Sequence, residues 1–273
     1  MKVAVVGHVE WVEFARVEHV PRAGEIVHAL ETWEEPAGGG AVAAVQLANL
    51  HGQVHLFTAL GNDDHGTRAR EELSSRGVTV HATAAGEPQR RAFTFVDGEG
   101  ERTITVLGRK LVPSGQDGAL PWEELARCDA VYFVSGDVAA LEAARRARVL
   151  VATARELPTL RRGALELDVL VASNDDDGEH YEPGMLDPAP SVVITTSGPL
   201  GGWVNPGGPF SASPLPGPIE DAYGCGDCFA AGLTFALGEG RSLDDAIALA
   251  ARCGAAVLTG RGAYAGQLTA AAV

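Results

Sequence analysis

Apolar residues along this chain gather in short, nearly unbroken runs at residues 2–6, 54–59, 130–134, 149–152, 169–172 and 192–195. Strands covered on both faces have this character, because neither side of them meets water. Between the runs, small apolar residues interleave with charge at helical spacing. Residues 41–50 read as a helix opened by Gly38-Gly39-Gly40 and followed by His51-Gly52, and residues 67–76 as a helix with exposed charge, ended by Gly77. Ser242-Leu-Asp-Asp245 resembles a capping box with Asp in place of Glu, and it opens an Ala-rich helix to about residue 258. Strand and helix alternate, which predicts an α/β fold with a mostly parallel central sheet.

Two stretches break this rhythm. Residues 10–33 mix aromatic, charged and β-branched side chains, and residues 91–106 alternate around Asp97-Gly-Glu-Gly100, a hairpin signal. By pattern alone they are edge strands of the main sheet. Residues 206–218, rich in Pro, Gly and Ser, predict an irregular surface connection.

At 273 residues the chain accommodates one large α/β domain, and a second full domain is not required. Acidic residues outnumber basic ones 36 to 21, and Lys2 and Lys110 are the only lysines. A net charge of −15 repels a phosphate backbone, which argues against nucleic acid as a partner. The apolar start at residues 3–6 soon meets His8, Glu10 and Glu13, too little for a signal peptide or a membrane span. A cytoplasmic protein is expected. Cys128, Cys225, Cys228 and Cys253 are too few and too irregularly spaced for a disulfide framework.

The chemistry concentrates in Asp221-Ala-Tyr-Gly-Cys-Gly-Asp227, followed by the small apolar run of residues 228–237. Gly224 and Gly226 allow a backbone turn that aims several N–H groups at one point, and the start of a helix there adds partial positive charge. Asp227 stands beside this anion cradle as a base.

These residues resemble the second signature of the PfkB carbohydrate kinases, the ribokinase-like family, roughly Asp-Thr-x-Gly-Ala-Gly-Asp. Asp221, Gly224, Gly226 and Asp227 match, whereas Ala222 replaces the Thr and Cys225 the middle Ala. Gly38-Gly39-Gly40 and the segment Gly61-Asn-Asp-Asp-His-Gly66 look like the family's first signature, in the right order. The resemblance implies a three-layer αβα ribokinase-like fold over residues 1–273, with a small β-sheet lid built from about 10–36 and 88–110. It implies ATP-dependent phosphorylation of a hydroxyl on a sugar-like molecule, with Asp227 as base and the backbone of Gly224, Cys225 and Gly226 as anion hole. Mg2+ is expected with the ATP, and K+ is left open.

By the same resemblance, Thr196-Ser197-Gly198-Pro-Leu-Gly201 stands at the ATP phosphates, and Asp221 belongs to the nucleotide side. Asn174-Asp-Asp-Asp177 corresponds to an Asn-x-x-Glu segment that organises Mg2+ through water, with Asp177 where Glu is expected; Asp175, Asp176 and Glu179 are alternatives, and a solvated acidic turn is the plain reading. On the acceptor side the resemblance assigns Gly38 and Gly39, while the usual sugar-contacting Asp and Asn are replaced by Val12 and Ala43. Glu10 and Glu13 lie close enough to compensate, Trp11 to stack on a ring, and Arg102 to meet an anionic acceptor from the lid. Open lid edges invite a second copy, so a homodimer through the lid is a further expectation.

Other schemes fit less well. A Gly-x-x-x-x-Gly-Lys-Ser/Thr loop does not occur, and Gly7-His-Val-Glu-Trp11 lacks the glycine spacing of a dinucleotide turn. Cys225-Gly-Asp-Cys228 has no second pair to complete a zinc site. The alternative from another class is a nucleotide or metabolite sensor that keeps the fold without acceptor turnover, motivated by Val12 and Ala43.

Overall fold

The computed structural model describes residues 1–272. Its strands are β1 (Val3–Val6), β2 (Glu10–Arg16), β3 (Glu31–Ala37), β4 (Val54–Leu60), β5 (Val78–Ala84), β6 (Arg91–Val96), β7 (Arg102–Leu107), β8 (Ala130–Phe133), β9 (Val149–Thr153), β10 (Val169–Ser173), β11 (Val192–Thr196), β12 (Gly202–Asn205) and β13 (Pro209–Phe210). Among the described residues, nine of them form one sheet in the order β13-β12-β11-β10-β9-β8-β1-β4-β5. The pairings from β11 through to β5 are parallel, and β12 and β13 close the far edge antiparallel.

Alternation within each short strand builds two cores. Val3 and Val5 of β1, Val151 of β9 and Val169 and Val171 of β10 pack on one face of the sheet. They meet α1 (Gly39–His51), α2 (Asp64–Ser75), α5 (Cys225–Gly238) and α6 (Leu243–Val257). Ala4 and Val6, Leu150 and Ala152, Leu170 and Ala172 face the other way, against α3 (Val138–Arg145), α4 (Leu157–Gly163) and the 3-10 turn Trp122–Arg127. Each buried Val or Leu is worth about 1.5–3 kcal/mol, so apolar strands sandwiched between two helical layers are the stable arrangement.

The helix predicted over 67–76 begins earlier, because the Asp63 side chain caps it by accepting the Gly66 N–H at 3.1 Å. The Ser242 cap is present, its hydroxyl accepting the Asp245 N–H at 3.2 Å. The irregular stretch from 206 contains β13 at the sheet edge, where a proline's missing N–H is tolerated.

The remaining four strands make a separate sheet in the order β3-β2-β6-β7, so they are not edge strands of the large one. The predicted hairpin joins β6 to β7, with Asp97 Oδ1 accepting the N–H groups of Glu99 and Glu101 at 2.9 and 3.0 Å. Register places Glu10, Val12, Phe14 and Arg16 of β2 beside Ala92, Thr94 and Val96 of β6, and those beside Val106, Ile104 and Arg102 of β7, on one face. Val12, Phe14, Ala92, Thr94 and Val96 are buried there, while β7 is exposed along its length.

Candidate active site

Chain order runs outward in opposite directions from the β1–β8 pair. A crevice opens at such a reversal, above the carboxyl ends of the strands, and ligands of α/β sheets bind there. His8, following β1, reaches across it to Ser135, following β8, with Nδ1 3.1 Å from the hydroxyl.

Two helix N-termini converge on this crevice. Gly38 caps α1 with φ 82°, and Gly224 caps α5 with φ 81° in the left-handed region that favours glycine. The approach is close: a Cβ on Gly39 would lie 2.7 Å from Asp227 Oδ1, and one on Gly40 2.6 Å from the His8 carbonyl oxygen. The first α5 bond is the Cys228 N–H donating to the Gly224 carbonyl at 2.9 Å. The N–H groups of Gly224, Cys225, Gly226 and Asp227 precede it and donate to nothing among the described residues. Gly226 is exposed, with open space where a Cβ would stand.

Asp227 lies in that first turn, partly exposed, with no ion-pair partner within 4.0 Å among the described residues. Burial of its carboxyl, reinforced by Glu179 and Glu10 and opposed by Arg102 and Arg155, pushes its pKa up to about 7. A carboxyl so tuned gives up and takes up a proton near neutrality. Arg102 stands beside it. The guanidinium donates to the Ala222 carbonyl, and although burial works against its charge, the Cys225 sulfur, the Tyr223 hydroxyl and Asp227 raise its pKa.

On the nucleotide side, Thr196 ends β11 and its hydroxyl donates to the Ala172 carbonyl at 3.3 Å. Ser197 accepts from the Asn174 side chain at 2.8 Å, which ties the two loops together. Gly198 and Gly201 have φ of 49° and 89°, and a Cβ on Gly201 would strike the Phe210 carbonyl at 2.0 Å. Asp221 departs from the expectation of a nucleotide contact. It is fully buried, and its two oxygens accept the Tyr223 and Gly262 N–H groups at 2.9 and 3.0 Å, so it pins the loop that presents the cradle.

Asp177 also departs from its assigned place. It is exposed at the start of a 3-10 turn, without a hydrogen bond from its side chain, whereas Asp176 and Glu179 clamp Arg155. Glu179, whose pKa is raised by burial against the pull of Arg155, is the carboxylate whose charge reaches Asp227. Among the described residues no three His, Cys, Asp or Glu side chains cluster closely enough to hold a metal ion, so carboxylates of this turn would meet Mg2+ only through its own waters.

On the acceptor side, Glu10 packs against Gly38, its Cγ 3.1 Å from a Cβ placed there. Arg90 Nε lies 3.0 Å from Glu10 Oε1, and His8 Nε2 3.7 Å from the same oxygen. Burial, then the charges of Lys110, Arg90 and Arg155, lowers the His8 pKa well below the usual value and keeps the ring neutral. Burial raises the Glu10 pKa against those same cations. Val12 and Ala43 are fully buried in the core. Trp11, expected as a stacking platform, faces the other way: its Nε1 donates to Glu34 at 3.0 Å and Arg68 lies over its ring. Glu13 pairs with Arg91 on that outer face at 3.2 Å.

His8, Arg90, Lys110 and Arg155 escaped the sequence reading as site residues, and Glu179 entered it only as an alternative carboxylate for Mg2+. Two signals were available: Lys110 is one of only two lysines, and Arg155 lies three residues after a predicted central strand.

The large, mostly parallel sheet, the separate four-stranded sheet and the two glycine-capped helix starts that meet at Asp227 are the features to set beside known proteins. The family described as "pfkB family carbohydrate kinase" matches residues 1–270, and the chain belongs to it. It is an ATP-dependent sugar kinase. The chain is 29% identical over 283 residues to an ATP-dependent ribose-1-phosphate kinase of Halopiger xanaduensis, covering 93% of this chain and 91% of that protein. It is 25% identical over 267 residues to a ribokinase of Bacillus subtilis, covering 91% and 90%. Ribokinase of Thermotoga maritima superposes with a TM-score of 0.79 at 22% identity, over 100% of this chain and 97% of that one. Arabidopsis thaliana ribokinase, complexed with ribose and ATP, gives 0.74 at 19%, over 99% and 96%. Among the described residues, no helix is long and apolar enough to cross a membrane.

Proposed function

We propose that the γ-phosphoryl group of ATP passes to a hydroxyl of a sugar-like acceptor set over Gly38 and Gly39, with Asp227 as the base. One observation carries this reading: a carboxyl with a pKa of about 7 stands at the same helix start as a row of open N–H groups. As the acceptor oxygen attacks the γ-phosphorus, the bond to the β–γ bridging oxygen breaks, ADP leaves with that electron pair, and the acceptor's proton goes to Asp227. Negative charge on the transferring group falls within reach of the Gly224, Cys225 and Gly226 N–H groups, where the α5 dipole favours it. Arg102, which has no carboxylate partner within 4.0 Å among the described residues, adds a full positive charge beside Cys225. Because it belongs to β7, the small sheet must stay closed over the crevice for this contact, which also keeps water from competing with the acceptor.

The Thr196–Gly201 turn brings backbone close to the remaining phosphates, braced by Asn174. Mg2+ held through water near Asp175, Asp177 and Glu179 would supply neutralising charge to the triphosphate. The Halopiger relative acts on ribose 1-phosphate by its name, which brings phosphorylated pentoses within range as acceptors here. Asp227→Asn is expected to cut turnover by about 10²–10⁴-fold while leaving ATP affinity within a small factor. A fully active Asp227→Asn enzyme would remove the mechanism, and ATP binding with no ADP release on any acceptor would favour the sensor instead.

A further inference from the structure

We propose that Cys225 and Cys228 are a reversible dithiol pair, and that a disulfide between them switches phosphotransfer off by pulling the anion cradle out of shape. The effect on turnover rests on the phosphotransfer reading above, whereas the bond itself is detectable without turnover.

Helix geometry brings the two residues within bonding range. Cys225 opens α5 and Cys228 stands three residues on, in the first turn. With a rise of about 1.5 Å per residue and about 3.6 residues per turn, Cα atoms three apart are about 5 Å distant, inside the roughly 4.4–6.8 Å that a disulfide spans. Helical side chains lean back over the preceding turn, so the Cys228 thiol leans toward Cys225.

Burial divides the roles. Of the four cysteines, Cys225 is partly exposed, while Cys128, Cys228 and Cys253 are buried. Thiols that react with oxidants stand in partly exposed, electropositive settings at helix starts, and the Arg102 guanidinium sits on the Ala222 carbonyl just before this one. An oxidant therefore meets Cys225 first. Cys228, fully buried, is left to react with a neighbouring sulfur. Its sulfur is dispensable where it lies: Gln267 Nε2 has two N–H groups and three acceptors in range, the Val42 and Ala263 carbonyls at 3.1 Å and Cys228 Sγ at 3.5 Å. Cys253 faces another turn, its sulfur 2.7 Å from a Cβ placed on Gly232, and Cys128 belongs to the core on the other face of the sheet.

With a hydroperoxide as oxidant, the steps balance. The Cys225 thiolate attacks one oxygen of hydrogen peroxide, the O–O bond breaks, and a sulfenic acid forms as the other oxygen takes up a proton and leaves as water. The Cys228 thiol then attacks that sulfur. An S–S bond forms, the S–O bond breaks, and the hydroxyl departs with the Cys228 proton as a second water. Two thiols are oxidised while one peroxide is reduced to two waters. A small dithiol reverses the bond by exchange and is itself oxidised to a disulfide.

Closing the bond costs the cradle its shape. Cβ atoms three apart on a helix lie about 5–6 Å from each other, and a disulfide holds them at about 3.5–4.5 Å. The first turn is free to give way, because the N–H groups of Cys225, Gly226 and Asp227 donate to nothing among the described residues and glycines flank Cys225 on both sides. Those N–H groups are the cradle. ATP seated on them holds the turn and covers Cys225, so it should slow the oxidation. Disulfides inside cells serve mostly as transient redox signals, which is the use this one would have.

The test treats the reduced protein with hydrogen peroxide and then with dithiothreitol, following ADP release and peptide masses. The native protein is expected to lose two hydrogens within the peptide that holds residues 225 and 228, its activity falling about 100-fold, as for a lost oxyanion donor, and returning on reduction. Cys228→Ala is expected to keep its starting activity and to form no such bond; peroxide should carry its Cys225 on to the sulfinic acid, which dithiothreitol does not reverse. Cys225→Ala, compared with its own reduced activity, should resist the same treatment. Three results would each overturn the switch and leave the kinase mechanism standing: hydrogens lost at another pair, native damage no more reversible than that of Cys228→Ala, or a mapped 225–228 bond with activity unchanged. Asp227→Asn should still form the bond, and its full activity would overturn the mechanism without touching the bond. Should no acceptor turn over, calorimetric titration of ATP decides: binding weakened by oxidation and restored by dithiothreitol supports the switch, and unchanged binding refutes it.

Discussion

If Asp227 must be ionised to receive the acceptor's proton, kcat/KM for the acceptor should rise with pH through one ionisation near 7. With its pKa at about 7, about one-tenth of the enzyme is competent at pH 6, half at pH 7 and nine-tenths at pH 8. An ordinary aspartate would leave that range flat. The causes can be tested separately. Burial is the largest and Glu179 the next, whereas Arg102 and Arg155 oppose them. Glu179→Gln removes negative charge and also frees Arg155, so the limb should move to lower pH. Arg102→Met removes positive charge, so the limb should move to higher pH. A unit charge about 8 Å away at an effective dielectric near 20 is worth ~2 kcal/mol, and screening in the open crevice reduces this to about one pH unit. Rate profiles from pH 5.5 to 8.5 for the three proteins measure both directions. A flat native profile between pH 6 and 8, or limbs that move the same way in the two variants, would refute the reasoning.

The same pKa makes a stability statement. A carboxyl whose folded pKa is raised costs stability as pH climbs from its unfolded value toward 7, so Asp227→Asn should be the more stable protein by about 1–3 kcal/mol at pH 8 and by less at pH 5, read from denaturant midpoints. Gly224→Ala should destabilise by about 1–3 kcal/mol, because its φ is 81° and a Cβ would lie 2.8 Å from Val42 Cγ1. Gly226→Ala should fold at least as well, since open space surrounds a Cβ there, yet should lose turnover if an oxygen of the transferring group needs that space; unchanged kcat would count against the cradle. Alkylation of Cys225, partly exposed and beside Arg102, should inactivate the enzyme, with ATP protecting; unaltered activity after stoichiometric modification at Cys225 would dismiss this.

The strand-and-helix alternation was readable because each central strand is an unbroken apolar run, and such a run has few stable places other than between two helical layers. The glycines of 224 and 226 were equally readable, since their positions next to a carboxylate and a helix start carry meaning without any tertiary contact. Asp221 and Trp11 show the limit. Asp221 was assigned a ligand by resemblance and Trp11 by closeness in sequence, but Asp221 spends both oxygens on backbone N–H groups of residues 223 and 262, and Trp11 sits on the face of β2 opposite Glu10. Period-two alternation states that Glu10 and Trp11 point apart, not which of them faces the crevice.

By itself, then, the sequence determined the layered α/β architecture and the glycine-flanked helix start at 224–227, because these depend on local periodicity and on residues adjacent in the chain, whereas the separation of the small second sheet from the large one was settled by strand pairing. Tertiary structure decided how the surrounding cations and carboxylates gather, including Arg102 and Glu179, which the sequence had offered only separately. Arg90, Arg102, Lys110, Arg155 and Glu179 come from loops and strand ends scattered over 90 residues, and only the parallel order of the sheet and the register of the small one bring their charges to Asp227 and Glu10. Charges interact through space at distances set by the fold, and spacing along the chain carries no record of that.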